Sequence, residues 1–303
     1  IILFCFQFQL MAENSPSEEK APEKTVTVTK PAPKPEPPPA PEKTAPLKEN
    51  ELAVVMDRLV KDGFDKTRIE TLFNREDVHF TTKGVSIFFS YFESAPNYAP
   101  FLEKKAISRA AKYAEEYKDV LEKAEKIYGV DKTIITAILL VETRLGNYLG
   151  KHATINMLAS ISALDNEDLK NRVWKAIPKK AKPKREVFLK KVDKRSAWAY
   201  NELKAFLKYA DRETINPEAV KGSFAGAIGI CQFMPSNALK IAKDGNSDGK
   251  VDLFTHEDAI FSVANYLKTN GWKPGLTRQQ QYDVIYTYNH SNYYVDTIQN
   301  VSD

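Results

Sequence analysis

The chain has 303 residues, of which 43% are hydrophobic and 28% are charged. These are average values for globular proteins, so they exclude a wholly disordered or fibrous protein. The formal net charge is only +4, but residues 170–195 contain twelve lysines and arginines against two acidic residues. The two cysteines, Cys5 and Cys231, exclude a disulfide-rich scaffold and a structural zinc site built from thiolates.

The first 46 residues differ in composition from the rest, because they hold ten of the 17 prolines. Residues 1–12 begin with an apolar run that is too short to span a bilayer, which predicts the remnant of a secretory signal peptide. The alternative is that Met11 is the true start of the protein and that the residues before it are spurious. Residues 13–46 predict a disordered, proline-rich linker, and residues 47–303 predict the folded part.

From residue 47 onward the hydrophobic pattern is helical. Leu52, Val55 and Leu59 recur at the spacing of one helix face. A long amphipathic stripe covers residues 110–127. Further stripes lie at residues 198–210, 260–267, 282–288 and 295–301. Because no alternating strand of convincing length and no internal repeat is visible, the sequence predicts a mainly α protein without a substantial sheet.

The basic residues 170–195 include Pro178 and Pro183, which predicts two helices joined by an exposed loop. Nucleic-acid binding is one interpretation of such a charge run. Trp174 and Phe188 are the few aromatic residues there, and both occupy apolar helix positions rather than positions suited to base stacking. We therefore expect no nucleic-acid partner. A solvated face and attraction to an anionic polymer are the two interpretations left open.

Glu142 follows residues 134–141, which are apolar on nearly every side and predict a buried helix. Ile135 and Ile138 lie seven and four positions before Glu142, so its carboxyl group would lie on their apolar face. Loss of hydration raises the pKa of a carboxyl group, as a general acid near neutral pH requires. The alternative is a glutamate that emerges into solvent at the helix end or pairs with Arg144.

Two further segments have compositions suited to a ligand. Residues 222–235 contain three glycines within eight residues, which allows close backbone approach to a ligand or to a packed helix. Their spacing matches neither a phosphate-binding nor a dinucleotide-binding loop. Residues 286–294 are dense in aromatic and amide side chains, which offer the stacking faces and hydrogen bonds that sugar rings need. Ordinary tyrosine packing at a helix end is the more common explanation of the latter composition.

Residues 244–255 match most of a calcium-binding loop, within an EF-hand-like helix–loop–helix at residues 236–268. The predicted metal ligands are, in chain order, Asp244, Asn246, Asp248, Lys250 and Asp252. The twelfth position is Thr255, where a bidentate glutamate is usual, and Thr255 with Asp258 predicts a capping box for the following helix instead. The sequence leaves a weak structural calcium site and a metal-free turn as alternatives.

Taken in order, four motifs resemble the membrane-bound lytic murein transglycosylase B family. They are residues 141–146 around Glu142, the glycine-rich residues 222–235, the loop at residues 244–255 and the sequence at residues 288–291. The resemblance covers roughly residues 50–303 and implies a lysozyme-like fold, with a catalytic domain at residues 47–303. Such enzymes cleave the β-1,4 bond between N-acetylmuramic acid and N-acetylglucosamine in peptidoglycan and leave a 1,6-anhydromuramoyl end.

The resemblance makes Glu142 the single catalytic carboxyl group, which acts first as acid and then as base, without a cofactor for the chemistry. It assigns substrate contacts to Ser223, Gln232, Tyr288, Asn289 and Tyr98. Asp165, Glu167 and Asp168 lie downstream of Glu142 and remain candidates for a second carboxylate. The alternative functions are a lysozyme-type muramidase, which uses water as the nucleophile, and a non-catalytic peptidoglycan-binding protein.

The resemblance also implies partners and a place of action. Peptidoglycan glycan strands are the expected binding partner, and the cell-wall synthesis machinery is a second class of partner. We expect a monomer that is exported to the periplasm or cell envelope, with the N-terminus as a candidate membrane tether. Three features depart from the family pattern. Cys231 stands where glycine is usual, and the basic residues 170–195 form a longer segment than expected. Only residues 273–277 separate Trp272 from the last helices, where the best-known members carry a large insertion.

Overall fold

The computed structural model describes residues 50–90 and 97–303. Within these residues it contains thirteen α-helices and one sheet of two short strands, so the prediction of a mainly α protein is confirmed. The first seven helices are α1 (Ala53–Lys61), α2 (Lys66–Phe73), α3 (Thr82–Phe89), α4 (Lys104–Glu116), α5 (Lys118–Tyr128), α6 (Lys132–Thr143) and α7 (Thr154–Ser162). The other six are α8 (Glu167–Ala176), α9 (Arg185–Arg212), α10 (Pro235–Lys240), α11 (His256–Thr269), α12 (Arg278–Tyr288) and α13 (Asn292–Ser302). The antiparallel strands are β1 (His152–Ala153) and β2 (Lys221–Gly222).

Side chains at the helix ends explain several of these boundaries. The side chain of Asp65 accepts a hydrogen bond from the backbone N–H of Arg68 at 2.7 Å and so caps α2. Thr277 and Gln280 form a reciprocal capping box at the start of α12. The Ser291 hydroxyl oxygen accepts the backbone N–H of Tyr294 and so caps α13. Each cap satisfies backbone N–H groups that the first turn of a helix leaves without an intrahelical partner.

The long stripe predicted over residues 110–127 is divided between two helices, α4 and α5, which meet at Tyr117. Tyr117 has φ −104° and ψ 24°, outside the helical range. Its ring packs 4.6 Å from the ring of Tyr113 and 4.6 Å from that of His256. The break therefore coincides with a tertiary contact to α11, which a local hydrophobic period cannot reveal.

Helix α6 lies at the centre of the molecule. It packs against α4, α5, α11 and α13, and residues 134–143 are all buried. The 28-residue α9 packs along α7 and α10. The buried residues of these helices belong to one continuous hydrophobic core, which holds the end of α6 from several sides.

The basic residues 170–195 form the end of α8, a connection that contains one short 3₁₀ turn, and the first part of α9. This arrangement confirms the prediction of two helices joined by an exposed loop. Trp174 and Phe188 pack against each other with ring centroids 5.1 Å apart, and Phe188 is fully buried. These rings hold the two helices together, and Trp174 is half-buried in this contact.

The predicted signal peptide remnant at residues 1–12 and the linker at residues 13–46 lie outside the described residues. No helix within residues 50–90 and 97–303 combines the length and the apolar character needed to cross a membrane.

Candidate active site

The end of α6 is fixed by an unusual turn. Arg144, Leu145 and Gly146 follow the helix with φ angles of 53°, 62° and 82°, and the left-handed region is costly for a residue that has a Cβ atom. Thr143 Oγ1 donates to the carbonyl oxygen of Ile230 at 2.8 Å and accepts from the backbone N–H of Gly146 at 3.0 Å. The turn thereby ties the end of α6 to the glycine-rich residues 222–235.

Glu142 lies in the last turn of α6 and is only 5% exposed. The hydroxyl group of Tyr294 on α13 donates a hydrogen bond to its Oε1 at 2.8 Å. The glutamate therefore neither emerges into solvent nor pairs with Arg144, as the alternative interpretations required. Burial raises the pKa of Glu142 to about 8, and the hydrogen bond from Tyr294 opposes that shift because it stabilises the charged form. At neutral pH the group is largely protonated, as a general acid must be.

The carboxyl group of Glu142 faces an open recess between α6, α10, α11 and the end of α12. The side chains that line it come from four separate parts of the chain: Glu142, Ala227, Gln232, Phe233, Met234, Asn237, Tyr266, Tyr288 and Asn289. Glu142 is the one carboxylic acid among these described residues. A mixed aromatic and amide lining around a protonated carboxyl group suits a neutral, hydroxyl-rich ligand such as a sugar.

Gln232 reaches the recess from a strained backbone position, with φ 51°. Its side-chain Nε2 donates to the carbonyl oxygens of Gly229 at 2.9 Å and Leu149 at 3.3 Å. These bonds fix the amide plane. The preceding hairpin needs its glycines, because a Cβ atom on Gly222 would lie 2.2 Å from the carbonyl oxygen of Ala227.

Tyr288 and Asn289 enter the recess at the end of α12. The Tyr288 hydroxyl donates to the carbonyl oxygen of Cys231 at 2.6 Å, and its ring stacks on that of Tyr294 at 6.4 Å. Asn289 Oδ1 is buried and has no hydrogen-bond partner within the described residues. An unpaired buried acceptor is costly, so this oxygen offers a bonding position to a ligand in the recess.

The structure does not place Ser223 and Tyr98 among the residues that line the recess. The Ser223 hydroxyl oxygen accepts the backbone N–H groups of Ala225 at 3.2 Å and Ala227 at 3.0 Å. Tyr98 lies with its ring edge-on to that of Tyr294, at 6.2 Å. Ser223 orders the turn that leads to the recess, while Tyr98 packs beside the tyrosine that contacts Glu142.

Three residues of this site escaped sequence reasoning. Tyr294 contacts Glu142 across 152 positions of sequence, and Tyr266 and Asn237 line the recess. Tyr294 belongs to the aromatic segment at residues 286–294, which was the available signal, since it follows Tyr288 by six positions. Tyr266 and Asn237 lie within ordinary amphipathic helices, where nothing in the sequence distinguishes them from packing residues.

None of the candidate second carboxylates lies at the recess. Asp165 accepts hydrogen bonds from Ser196 Oγ at 2.8 Å and from Arg58 at 3.0 Å. Glu167 pairs with Lys170 at 2.7 Å, and Asp168 stands in the exposed first turn of α8. None of these three carboxylates therefore accompanies Glu142 in the lining of the recess.

The predicted helix–loop–helix is confirmed, with α10 and α11 flanking the loop at residues 244–255. Asp244 accepts the backbone N–H groups of Ser247 at 2.6 Å and Gly249 at 2.9 Å. Asn246 and Asp248 each accept the N–H two positions later, at 3.0 and 2.8 Å. These hydrogen bonds curl the loop, in which every second residue from Asp244 to Asp248 carries a side-chain oxygen.

The capping box predicted from Thr255 and Asp258 is wrong. Thr255 Oγ1 donates back to the carbonyl oxygen of Asp252 at 2.9 Å, and its side chain makes no cap hydrogen bond to α11. Asp258 instead points under the loop, where it accepts the backbone N–H groups of Gly245 at 2.8 Å and Asp252 at 2.6 Å. The carboxylate of Asp258 is therefore used by N–H groups of the loop and does not cap α11.

The donors available for a metal in this loop are oxygens, from Asp244, Asn246, Asp248, Asp252 and the main chain at Lys250. This is the ligand chemistry that calcium prefers. No three carboxylate, imidazole or thiol groups converge on one point within residues 50–90 and 97–303. The donor atoms are of the kind that binds calcium, but the carboxylates of the described residues do not converge on one point.

Comparison with known proteins provides independent evidence for the family of this chain. The sequence profile described as Transglycosylase SLT domain matches residues 48–281, a range that ends before Tyr288. Membrane-bound lytic murein transglycosylase B of Escherichia coli strain K12 is 34% identical over 175 residues, which is 58% of this chain and 41% of that protein. The chain thus spans less than half the length of this curated relative.

Several solved structures share the fold. The soluble lytic transglycosylase SltB1 of Pseudomonas aeruginosa superposes with a TM-score of 0.68 at 22% identity, over 83% of this chain and 97% of that chain. Lytic transglycosylase Slt35 of Escherichia coli in complex with calcium gives a TM-score of 0.65 at 24% identity, over 83% and 91%. SltB3 of Pseudomonas aeruginosa in complex with NAG-NAM-pentapeptide gives 0.66 at 18% identity, over 84% and 79%.

The profile covers well over half of the chain, and the curated relative carries the name of the family that the four motifs predicted. The structural matches show the lysozyme-like, mainly α fold that the resemblance implied. The chain therefore belongs to the transglycosylase SLT domain family.

Proposed function

We propose that the protein is a peptidoglycan lytic transglycosylase that cleaves the β-1,4 bond between N-acetylmuramic acid and N-acetylglucosamine. The observation that carries this proposal is the environment of Glu142. Its carboxyl group is buried, its pKa is raised to about 8 by that burial, and it is the one acid lining the recess among the described residues. Family membership and the glycan fragment bound by SltB3 support the same substrate class.

The proposed reaction uses one carboxyl group twice. The protonated Glu142 donates its proton to the glycosidic oxygen while the bond from that oxygen to C1 of the muramoyl residue breaks. The resulting carboxylate then takes the proton of the muramoyl C6 hydroxyl group, whose oxygen bonds to C1 and closes the 1,6-anhydro ring. Glu142 ends protonated, and no water is consumed. Glycosidases ordinarily need a second carboxylate, and none of the other described residues that line the recess supplies one.

Tyr294 suits this cycle because it stabilises the carboxylate that forms in the first step. Its hydrogen bond to Oε1 opposes the effect of burial on the pKa of Glu142. The group can therefore give up a proton and recover it without an extreme change in free energy. Tyr98 packs against the Tyr294 ring, so we assign Tyr98 a positioning role in addition to the substrate contact predicted from the resemblance.

Substrate contacts are proposed for the polar groups that face the recess. Asn289 Oδ1, which has no partner within the described residues, would accept a hydrogen bond from a sugar hydroxyl or acetamido N–H group. Gln232 and Tyr288 present side chains already fixed by hydrogen bonds to the backbone, so little conformational entropy is lost on binding. Ser223 supports the turn next to Ala227, and its contact with substrate stays a prediction.

A structural calcium ion in the loop at residues 244–255 is proposed as an aid to stability rather than to chemistry. Asp244, Asn246, Asp248, Asp252 and the carbonyl oxygen of Lys250 would supply the ligands. The Slt35 structure in complex with calcium supports this assignment. We also propose that the protein is exported to the cell envelope and is a monomer, as the family resemblance predicts.

The decisive experiment is product analysis of purified peptidoglycan digested by the full chain. Mass spectrometry should find muropeptides with 1,6-anhydromuramoyl ends, each lighter by one water than the hydrolytic product. Products with only reducing muramic ends would establish a muramidase instead. Binding to peptidoglycan without any cleavage would establish a non-catalytic binding protein.

The Glu142→Gln variant tests the assigned residue. It should lower the rate of lysis by on the order of 10²–10⁴-fold, the usual contribution of a general acid–base group, while its circular dichroism stays that of the parent. The matched control is Glu186→Gln, which removes an exposed glutamate and should leave lysis unchanged. Unchanged lysis in the Glu142→Gln variant would refute the mechanism.

A further inference from the structure

A dense group of exposed lysines lies where α8 joins α9. We call the seven members the basic cap: Lys175, Lys179, Lys180, Lys184, Lys190, Lys191 and Lys194. None of them forms an ion pair with an acidic side chain of the described residues. Residues 175–194 contain nine lysines and arginines in all against two acidic residues, Glu186 and Asp193, so a surplus of seven positive charges remains.

The arginines of this stretch behave differently from the lysines. Arg172 pairs with Glu51, and Arg185 donates to Asn171 and lies 5.2 Å from the Trp174 ring centroid. Arginine is the residue that recognises single phosphates or bases with a fixed fork of donors, whereas lysine is a flexible point charge. A surface of uncommitted lysines therefore suits a diffuse anionic surface better than one defined anion.

The shape of the basic cap also favours a surface over a strand. Of its aromatic residues, Phe188 is buried, and the half-buried ring of Trp174 packs against Phe188 and has Lys182 and Arg185 at 5.0 and 5.2 Å from its centroid, which leaves little of either ring to stack on a base or a sugar. Val187 on α9 is 44% exposed; it lies three positions after Lys184, the N-cap residue of α9, and one helical turn before Lys190. An apolar side chain ringed by lysines can enter the headgroup region of a bilayer while the amines stay among the phosphates.

The position of the chain's entry into the folded part adds a third argument. Glu51, at the start of the described residues, pairs with Arg172 on α8, and Lys175 follows Arg172 by one helical turn on the same face. The preceding 49 residues, with their apolar first segment and proline-rich stretch, therefore join the domain beside the basic cap. A membrane attachment through that segment would act on the side of the domain that carries the cap.

We propose that the basic cap docks the domain onto a membrane surface of anionic phospholipids. Basic residues near an anionic leaflet attract it within a Debye length, and the attraction weakens as salt rises. This inference does not depend on the proposed reaction, because no residue of the cap lines the recess.

The test measures sedimentation of the full chain with vesicles of phosphatidylcholine alone or with added phosphatidylglycerol. The cap variant carries Lys179→Glu, Lys180→Glu, Lys184→Glu and Lys190→Glu. The matched control carries four exposed lysines of other surfaces changed to glutamate, at Lys105, Lys112, Lys126 and Lys273. Both variants have the same net charge and the same N-terminal segment, so any difference between them reports the location of the charge.

The parent and the control should bind the anionic vesicles, and the cap variant should bind them at least about tenfold more weakly. The parent's preference for anionic vesicles should disappear in high salt. Equal binding by both variants, or no preference of the parent for anionic vesicles, would overturn the proposal. Cap-dependent retention on purified wall material without vesicle binding would also overturn it, in favour of a wall polymer. Lysis of peptidoglycan in solution, measured beside binding, tests the proposed reaction separately, and the cap variant should retain it.

Discussion

At the scale of single residues, the properties of Glu142 depend on two opposing effects. Burial favours the protonated form, and the hydrogen bond from Tyr294 favours the charged form. Burial prevails, so the pKa lies near 8 rather than at the ordinary value of 4.5. The carboxyl group is thus ready to donate a proton at neutral pH, while one tyrosine keeps the carboxylate accessible as the next state of the cycle.

Removing the Tyr294 hydroxyl group should move the pKa of Glu142 still higher, because a bond that stabilises the carboxylate is lost. In a Tyr294→Phe variant, the alkaline limb of kcat/KM should therefore shift to higher pH, and the rate at neutral pH should fall because proton donation to the glycosidic oxygen becomes harder. A pH–rate profile on purified peptidoglycan measures both effects.

The matched control for that profile is Tyr293→Phe, since Tyr293 is 61% exposed and adjacent in sequence. Its alkaline limb should coincide with that of the parent. An alkaline limb that stays in place in Tyr294→Phe, or moves to lower pH, would show that the hydrogen bond does not control the acid.

At the scale of secondary-structure elements, much of the site could be predicted. The apolar residues before Glu142 predicted its burial, because a helix with no polar face must lie inside the core. The glycine-rich segment and the aromatic segment predicted two of the walls. Each of these predictions uses local spacing, and each concerns one element at a time.

What could not be predicted from the sequence is how elements meet. The contact of Tyr294 with Glu142 depends on α13 packing against α6, and the helix break at Tyr117 depends on His256 of α11. Asp258 reads as a helix cap in sequence but serves the loop N–H groups in the structure. In all three cases a tertiary partner decides between local options of similar free energy.

The loop between α10 and α11 gives a prediction at this scale. If the loop binds calcium, millimolar calcium should raise the melting temperature of the parent, since a ligand at 100 times its Kd stabilises the folded state by about 2.7 kcal/mol. Asp244→Ala removes a predicted ligand and should abolish that calcium-dependent increase. Scanning calorimetry with and without calcium measures it.

Asp244 also accepts two backbone N–H groups, so the variant should melt lower than the parent even with a chelator present. The diagnostic quantity is therefore the calcium-dependent difference within each protein, not the difference between proteins. Asp168→Ala, at an exposed position outside the loop, should keep the full calcium response. If calcium does not change the melting temperature of the parent protein, the proposed calcium site is refuted.

At the scale of the whole molecule, the described residues share one continuous core, and α6 runs through its centre. A change in the charge of Glu142 is therefore felt by global unfolding rather than by a separate local unit. The placement of an ionisable group inside this core favours proton donation over stability, a trade that is common at catalytic sites.

This trade predicts how stability depends on pH. A carboxyl group whose folded-state pKa is raised from 4.5 to about 8 binds its proton more tightly in the folded than in the unfolded state. Its contribution is complete below the ordinary pKa and is lost as pH rises toward 8, at up to about 1.4 kcal/mol per pH unit. Glu142→Gln removes this titration, so the variant should gain stability relative to the parent from pH 5 to pH 8. Urea unfolding at several pH values measures the difference in the free energy of unfolding between the variant and the parent.

For the control Glu186→Gln this difference should not change with pH, because that side chain is exposed. A difference that is independent of pH for Glu142→Gln would mean that the buried carboxyl group does not titrate as proposed.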